Sequence, residues 1–145
     1  MWHRPGVQLD AEASWERLRR ARHGSLGTVH ADRGVDLVPV VFVVHDERVV
    51  IPIDTVKPKS GPRLQRLRNL LVDARAALLV DHYDEDWSAL WWVRLHGSAK
   101  EHPPTEGQLA ALARAFRPYR DPATVTAVIV LEPREVTGWA AGPST

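Results

Sequence analysis

The chain has no cysteine. That absence removes disulfides, thiolate metal sites and cysteine nucleophiles together, and it suits a reducing compartment. Long apolar runs are missing too: the most hydrophobic stretches, around "LVPVVFVV" and "TAVIVL", are too short to span a bilayer. The N-terminal "MWHRPGVQLDAEASWERL" contains nothing resembling a signal peptide. A soluble, cytoplasmic protein with no membrane partner is therefore expected. Excess charge is lacking as well. A formal net charge of +1 offers no global attraction for a polyanion, so any anion binding must be local.

Catalytic signatures are absent in the same way. There is no G-x-G-x-x-G after a strand, no Walker pattern and no G-x-S-x-G elbow, and Ser25 in "GSLG" has no base set beside it by sequence. The seven histidines are scattered without H-x-x-x-H spacing, so no metal site is expected. His30 and His45 read as ordinary surface or satisfied histidines. A chain so equipped has no self-sufficient side-chain chemistry. If it is an enzyme, a bound cofactor carries the reaction.

What is present is an ordinary globular balance, 44% hydrophobic and 26% charged, in a length that suits one domain over residues 1–145. Asp10 is placed to cap a helix over "AEASWERLRRARHG", with Glu12 early, arginines late and Gly24 as a stop; Trp15 and Leu18 face the core. Three β-branched runs follow, "GSLGTVH", "VDLVPVVFVVHD" and "ERVVIPID", separated by "ADRG" and a short "DE" corner. Leu64, Leu67, Leu70 and Leu71 then recur at helical spacing, with Ser60 able to cap and Pro62 in the first turn. "ARAALLVDHY" and "ALWWVRLHGSAKEH" predict strands on either side of an acidic "DEDW" turn. "PTEGQLAALARAFRPY" predicts a helix with Leu109, Leu112, Ala113 and Phe116 on one side. "TVTAVIVLEPREVTGWA" closes as one long strand, or two joined at Pro133. This order is unlike an alternating βαβ pattern and predicts a mainly antiparallel β-barrel with peripheral helices.

Two features stand apart from this scaffold. The stretch "IDTVKPKSGPRLQRLRNL" carries Lys57, Lys59, Arg63, Arg66 and Arg68 and, after Asp54, no acid until Asp73. It reads either as a solvated helix face or as an anion pocket. The lysines sit in the loop after a strand. Lys59 and Arg66 share a narrow sector beside the leucine face while Arg68 points elsewhere, and a helix start attracts anions. One or two phosphates fit this better than a duplex backbone, and no nucleic-acid partner is expected. The second feature is Trp87, Trp91 and Trp92 within "DEDWSALWWVRLHG". On a strand, Trp91 and Trp92 face opposite sides: one can be core, and the other either packs locally or is covered by a subunit or a ring-shaped ligand.

The succession "GSLGTVHADRGVDLVPVVFVV", "RVVIPIDTVKPKSGPRLQRLRNL", "ARAALLVDHYDEDWSALWWVRLHGSA" and "VIVLEPREVTGW" resembles the split-barrel flavin and deazaflavin oxidoreductases of the pyridoxamine 5′-phosphate oxidase-like superfamily, especially its actinobacterial branch that uses coenzyme F420. The resemblance covers nearly the whole chain. It implies a six-stranded antiparallel split barrel (the FMN-binding split barrel), a homodimer with a cofactor in each interface groove, and hydride transfer between the deazaflavin and a small conjugated acceptor. It implies a cofactor phosphate at Lys57, Lys59 and Arg66, with Lys57, Arg63 and Arg68 able to serve the F420 tail. Asp54 and Thr55 supply further contacts and Asn69 shapes the helix. It places the ring against Val38, Pro39, Val40 and Ile53, with Trp87 and Trp92 reaching across from the other subunit. The loop "KPKSGPRLQR" is longer than in many relatives. FMN is the alternative cofactor, a haem-binding split barrel comes third, and a non-catalytic cofactor-binding module is the reading from another class. Tyr83, His82 and solvent are all open as proton donor.

Overall fold

Eight strands and three α-helices form the described residues, 6–54 and 64–142, of the computed structural model. The first half contains β1 (Gly6–Leu9), α1 (Ala11–Arg20), β2 (His23–His30), β3 (Gly34–Val41), β4 (Val43–His45) and β5 (Arg48–Asp54). The second contains α2 (Gln65–Val72), β6 (Arg75–His82), β7 (Trp91–His102), α3 (Glu106–Ala115) and β8 (Val125–Ala141). Every ladder is antiparallel, in the order β3-β2-β6-β7-β8-β5-β4. β5 takes residues 125–131 of β8, and β1 takes residues 138–141.

The run expected as one strand, "VDLVPVVFVVHD", is two. Phe42 divides it: its ring is fully buried, and its N–H donates to the Arg22 carbonyl (3.1 Å) instead of a ladder partner. β3 lies at one end of the strand order and β4 at the other. The bend at Phe42 therefore carries one stretch of chain between the two edges of the sheet and closes it into a split barrel. This break and the N-terminal β1 raise the count from the six expected strands to eight. The "DE" corner, Asp46 and Glu47 with φ of 51° and 59°, is the two-residue turn joining β4 to β5.

Inside the barrel, Leu18 of α1 meets Leu26, Phe42, Ile51, Leu78, Leu95 and Ile129, so α1 is held by an apolar stripe that reaches the core. β5 is buried on both faces: Val49, Ile51 and Ile53 point into the barrel, and Val50 packs outward beneath α3 with Leu112, Tyr119 and Val128. That accounts for its continuous apolar run. No helix among the described residues is long and apolar enough to cross a membrane.

Asp10 caps α1 as expected, accepting from the Ala13 N–H at 2.8 Å. Gly24 does not stop the helix. It lies within β2 opposite Val40, where an added Cβ would come within 2.7 Å of the Leu79 carbonyl, and the arginine-rich helix ends at Arg20 instead. Leu67 and Leu70 are buried, but Leu71, expected beside them, is 76% exposed because α2 docks along Leu67, Asn69 and Leu70. α3 opens on a Thr105–Gln108 capping box and stops at Ala115, short of the expected Tyr119; Pro118 falls in a separate 3-10 turn, Arg117–Arg120. β8 runs unbroken through Pro133. The irregularity is absorbed opposite it, where the register shifts between His96 and Gly97.

Candidate functional site

β5 delivers Asp54 to the barrel rim, and α2 returns Arg66 to face it. Asp54 Oδ2 accepts a hydrogen bond from the Tyr119 hydroxyl at 2.6 Å, and Tyr119 is itself set edge-on against Phe116 with ring centroids 5.6 Å apart. Burial pushes the Tyr119 phenol well above its ordinary range, and the bond to Asp54 and its charge push it further. Arg66 is half-buried. Burial pulls its pKa down while the Asp54 charge pulls it up, and its Nε, wholly shielded from solvent, finds no acceptor among the described residues. A buried cationic N–H without a partner is costly, and an anion at this corner would satisfy it.

The helix bearing Arg66 is pinned from the other side. Asn69, 4% exposed, donates from Nδ2 to Thr28 Oγ1 and to Asp36 Oδ2, both at 2.9 Å, and its Oδ1 accepts from Gln65 Nε2 at 2.8 Å. Arg33 grips the same Asp36 with two bonds, from Nε (2.8 Å) and Nη2 (3.0 Å). The Asp36 carboxyl accordingly lies below its usual range, through Arg33 first and Asn69 second. Arg68 is exposed and donates to Gln65 on the far face. Its separation from Arg66 is the one that helical spacing predicts.

Of the expected site residues, the structure gathers Ile53, Asp54, Arg66 and Asn69 at this corner, with Ile53 in the barrel core and Asp54 at the strand end. Val38, Pro39 and Val40 lie on β3: Val40 is buried, Val38 half-buried against the core and Pro39 exposed on the outer face. Thr55, Lys57, Lys59 and Arg63, with Ser60 and Pro62, lie outside the described residues. Trp87 and Trp92 are not brought to the corner in this chain. Trp87 is 40% exposed on the 3-10 turn Trp87–Ala89, and Trp92 pairs with Asp81, five residues along β6 from the Ala76 that adjoins Thr28, or about 16 Å away. Trp91 and Trp92 do face opposite sides: Trp91 packs against the barrel core, while Trp92 lies beside Leu79, Asp81 and Arg94 on the outer face.

Sequence reasoning missed Tyr119, Thr28, Asp36 and Gln65. Only Gln65 carried a local signal, its i, i+4 spacing to Asn69. The others meet the corner through contacts 33 to 65 residues apart in sequence.

The described residues form a split barrel in which Arg66 of α2, its Nε without an acceptor among them, faces Asp54 at the end of β5. A family model described as pyridoxamine 5′-phosphate oxidase matches residues 11–140, and the chain belongs to that family. No curated protein matches it. A conserved hypothetical protein from Mycobacterium tuberculosis has the same fold at 19% identity and a TM-score of 0.72, covering 94% of this chain and 87% of its own. A FAD-binding protein from Mesorhizobium loti is similar at 18% identity and a TM-score of 0.70, over 96% of this chain and 98% of its own. A heme binding protein from Mycobacterium smegmatis gives 21% identity and a TM-score of 0.65, over 96% of this chain and 57% of its own. At these identities the likeness is one of fold.

Proposed function

We propose that the protein is a cytoplasmic oxidoreductase that holds the phosphate of a flavin-type cofactor at the β5–α2 corner, the cofactor being coenzyme F420 and the protein a member of the actinobacterial branch that uses it. The observation that carries this reading is Arg66: a half-buried guanidinium whose Nε has no acceptor, in a family defined by an enzyme of phosphorylated substrates and matched over residues 11–140. When bound, the cofactor supplies hydride transfer with a small conjugated acceptor. The chain's own task is placement. Arg66 donates to a phosphate oxygen, joined by Lys57, Lys59, Arg63 and the backbone at Thr55. Tyr119 fixes the Asp54 carboxylate, whose charge facing Arg66 holds the guanidinium at the rim. Asn69 docks the helix so that Arg66 stays in register with β5.

Pro39, exposed on the outer face of β3, offers the surface for the ring, backed from the core side by Val38, Val40 and Ile53. A second copy of the chain completes the groove with Trp87 and Trp92, and the homodimer is supported by the outer face of β3, β2 and β6, where Val35 (66%), Leu37 (73%) and Leu79 (39%) stand exposed. FMN is the second reading, favoured by the likeness in fold to a protein named as FAD-binding.

Titration of the purified protein with F420 and with FMN, followed by tryptophan fluorescence, tests the proposal. Saturable quenching at micromolar ligand is expected, and Arg66→Met is expected to weaken it about ten- to a hundredfold, the worth of a charged hydrogen bond. Binding of neither cofactor would sink the function; binding of FMN alone would move the protein to the flavin reading. Unchanged affinity in Arg66→Met would place the phosphate elsewhere.

A further inference from the structure

We propose that the cavity between the last turn of α1 and the rims of β2, β6 and β7 is a binding site for a small conjugated carboxylate, separate from the β5–α2 corner. Its volume of about 590 Å³ lies in the range of small-molecule sites. It lies away from the phosphate corner: His23 on its wall and Thr28, which anchors α2, are five residues apart on β2, or about 16 Å.

The arginines of the lining separate into two that are paired and one that is not. Arg22 Nη1 donates to the carbonyls of Arg19, Arg20 and Ala21 at 3.3–3.4 Å and closes the end of α1. Arg20 pairs with Glu16 at 3.1 Å. Arg17 is different. It is half-buried, its polar contact among the described residues is the Ala13 carbonyl of its own helix at 3.5 Å, and no described carboxylate pairs with it. Its guanidinium carbon lies 5.5 Å from the centroid of the Trp91 ring. A guanidinium resting on an aromatic face keeps its N–H edge free, and that edge matches a carboxylate with two parallel bonds.

The rest of the floor is flat and apolar. Trp91 packs on the barrel core, Val80 is buried beside it, and His82 stacks on Trp91 with centroids 6.3 Å apart and planes 20° from parallel. Asp81 is the acid on the facing rim, shared with the groove beside Trp92 and Arg94. It repels a ligand anion from that side and so favours the pose with the carboxylate at Arg17. A planar conjugated body over Val80, His82 and Trp91 with its carboxylate on Arg17 satisfies the free guanidinium and covers the exposed aromatic edge together. A neutral ligand answers only the second need, and an inorganic anion only the first.

The test is a titration of the ¹⁵N-labelled full chain with trans-cinnamate and, separately, with cinnamamide, its neutral isostere. The Trp91 indole N–H signal, assigned by its loss in Trp91→Phe, and the amides of the last turn of α1 are expected to shift saturably with cinnamate. Cinnamamide binding to the native chain and cinnamate binding to Arg17→Met are each expected to be about ten- to a hundredfold weaker. The proposal is overturned if the two probes titrate alike, if a folded Arg17→Met binds cinnamate as the native chain does, or if the shifts fall on α2. No shift at millimolar cinnamate overturns it equally.

Discussion

Tyr119 and Arg66 carry the two clearest residue-scale consequences of the corner. The Tyr119 hydroxyl gives its proton's bond to Asp54 at 2.6 Å, and both burial and that carboxylate oppose its ionisation. The unfolded chain releases the phenolic proton near pH 10, whereas the folded chain still holds it there. The folded state then binds more protons than the unfolded one, so stability falls as pH rises past about 10 toward the raised folded value. Urea unfolding between pH 8 and 11 is expected to show this decline, over about those limits, with Tyr119→Phe lacking it. At neutral pH the same variant is expected to lose about 1–3 kcal/mol, because its partner is a charged carboxylate. Identical pH profiles for the two proteins would mean that the Tyr119–Asp54 bond is not formed in solution.

At the scale of elements, the β7–β8 ladder is the longest in the molecule and contains its sharpest constraint. Pro133 cannot donate to a ladder, and the register beside it slips between His96 and Gly97. The strands approach so closely there that a Cβ on Gly97 would sit 1.9 Å from the Glu132 carbonyl oxygen, a backbone atom that no side-chain rotation can move. Gly97→Ala is therefore expected to destabilise by about 3 kcal/mol or more, the upper end for overpacking, with a matching fall in the urea midpoint. A native midpoint in that variant would show that the bulge relaxes freely. The same scale explains α2: its docking side is set by Leu67, Leu70 and the Asn69 bonds to β2 and β3, which is why Leu71 is left outside.

For the molecule as a whole, the outer face of β3, β2 and β6 is the surface on which the proposed homodimer rests. Val35, Leu37 and Leu79 are exposed, and opposite Leu37 the face has only Gly27 and then Ala77, so it is flat and apolar across three strands. Light scattering coupled to size exclusion is expected to find a dimer, and the double variant Leu37→Glu, Leu79→Glu a folded monomer. A native monomer at tens of micromolar would remove the two-chain groove from the proposed function and leave Trp87 and Trp92 as local packing residues.

Legible in the sequence were the strand-rich order, the cap at Asp10, the opposite facing of Trp91 and Trp92, and the separation of Arg66 from Arg68. These are local: backbone periodicity, capping chemistry and charge spacing act over a few residues, and no distant contact is needed to read them. Tertiary structure alone decided the rest. A break at Phe42 closes the barrel because its ring is drawn into a core assembled from six strands, α1 and α2. Among the described residues no acceptor reaches Arg66 Nε and no carboxylate pairs with Arg17, although Asp54 faces the first and Trp91 lies under the second, and only the folded chain decides this. Long-range packing brings Asp54 and its partner Tyr119 to Arg66, while Asn69 and Asp36 hold the helix from its other side, and no local spacing in the sequence carries these contacts.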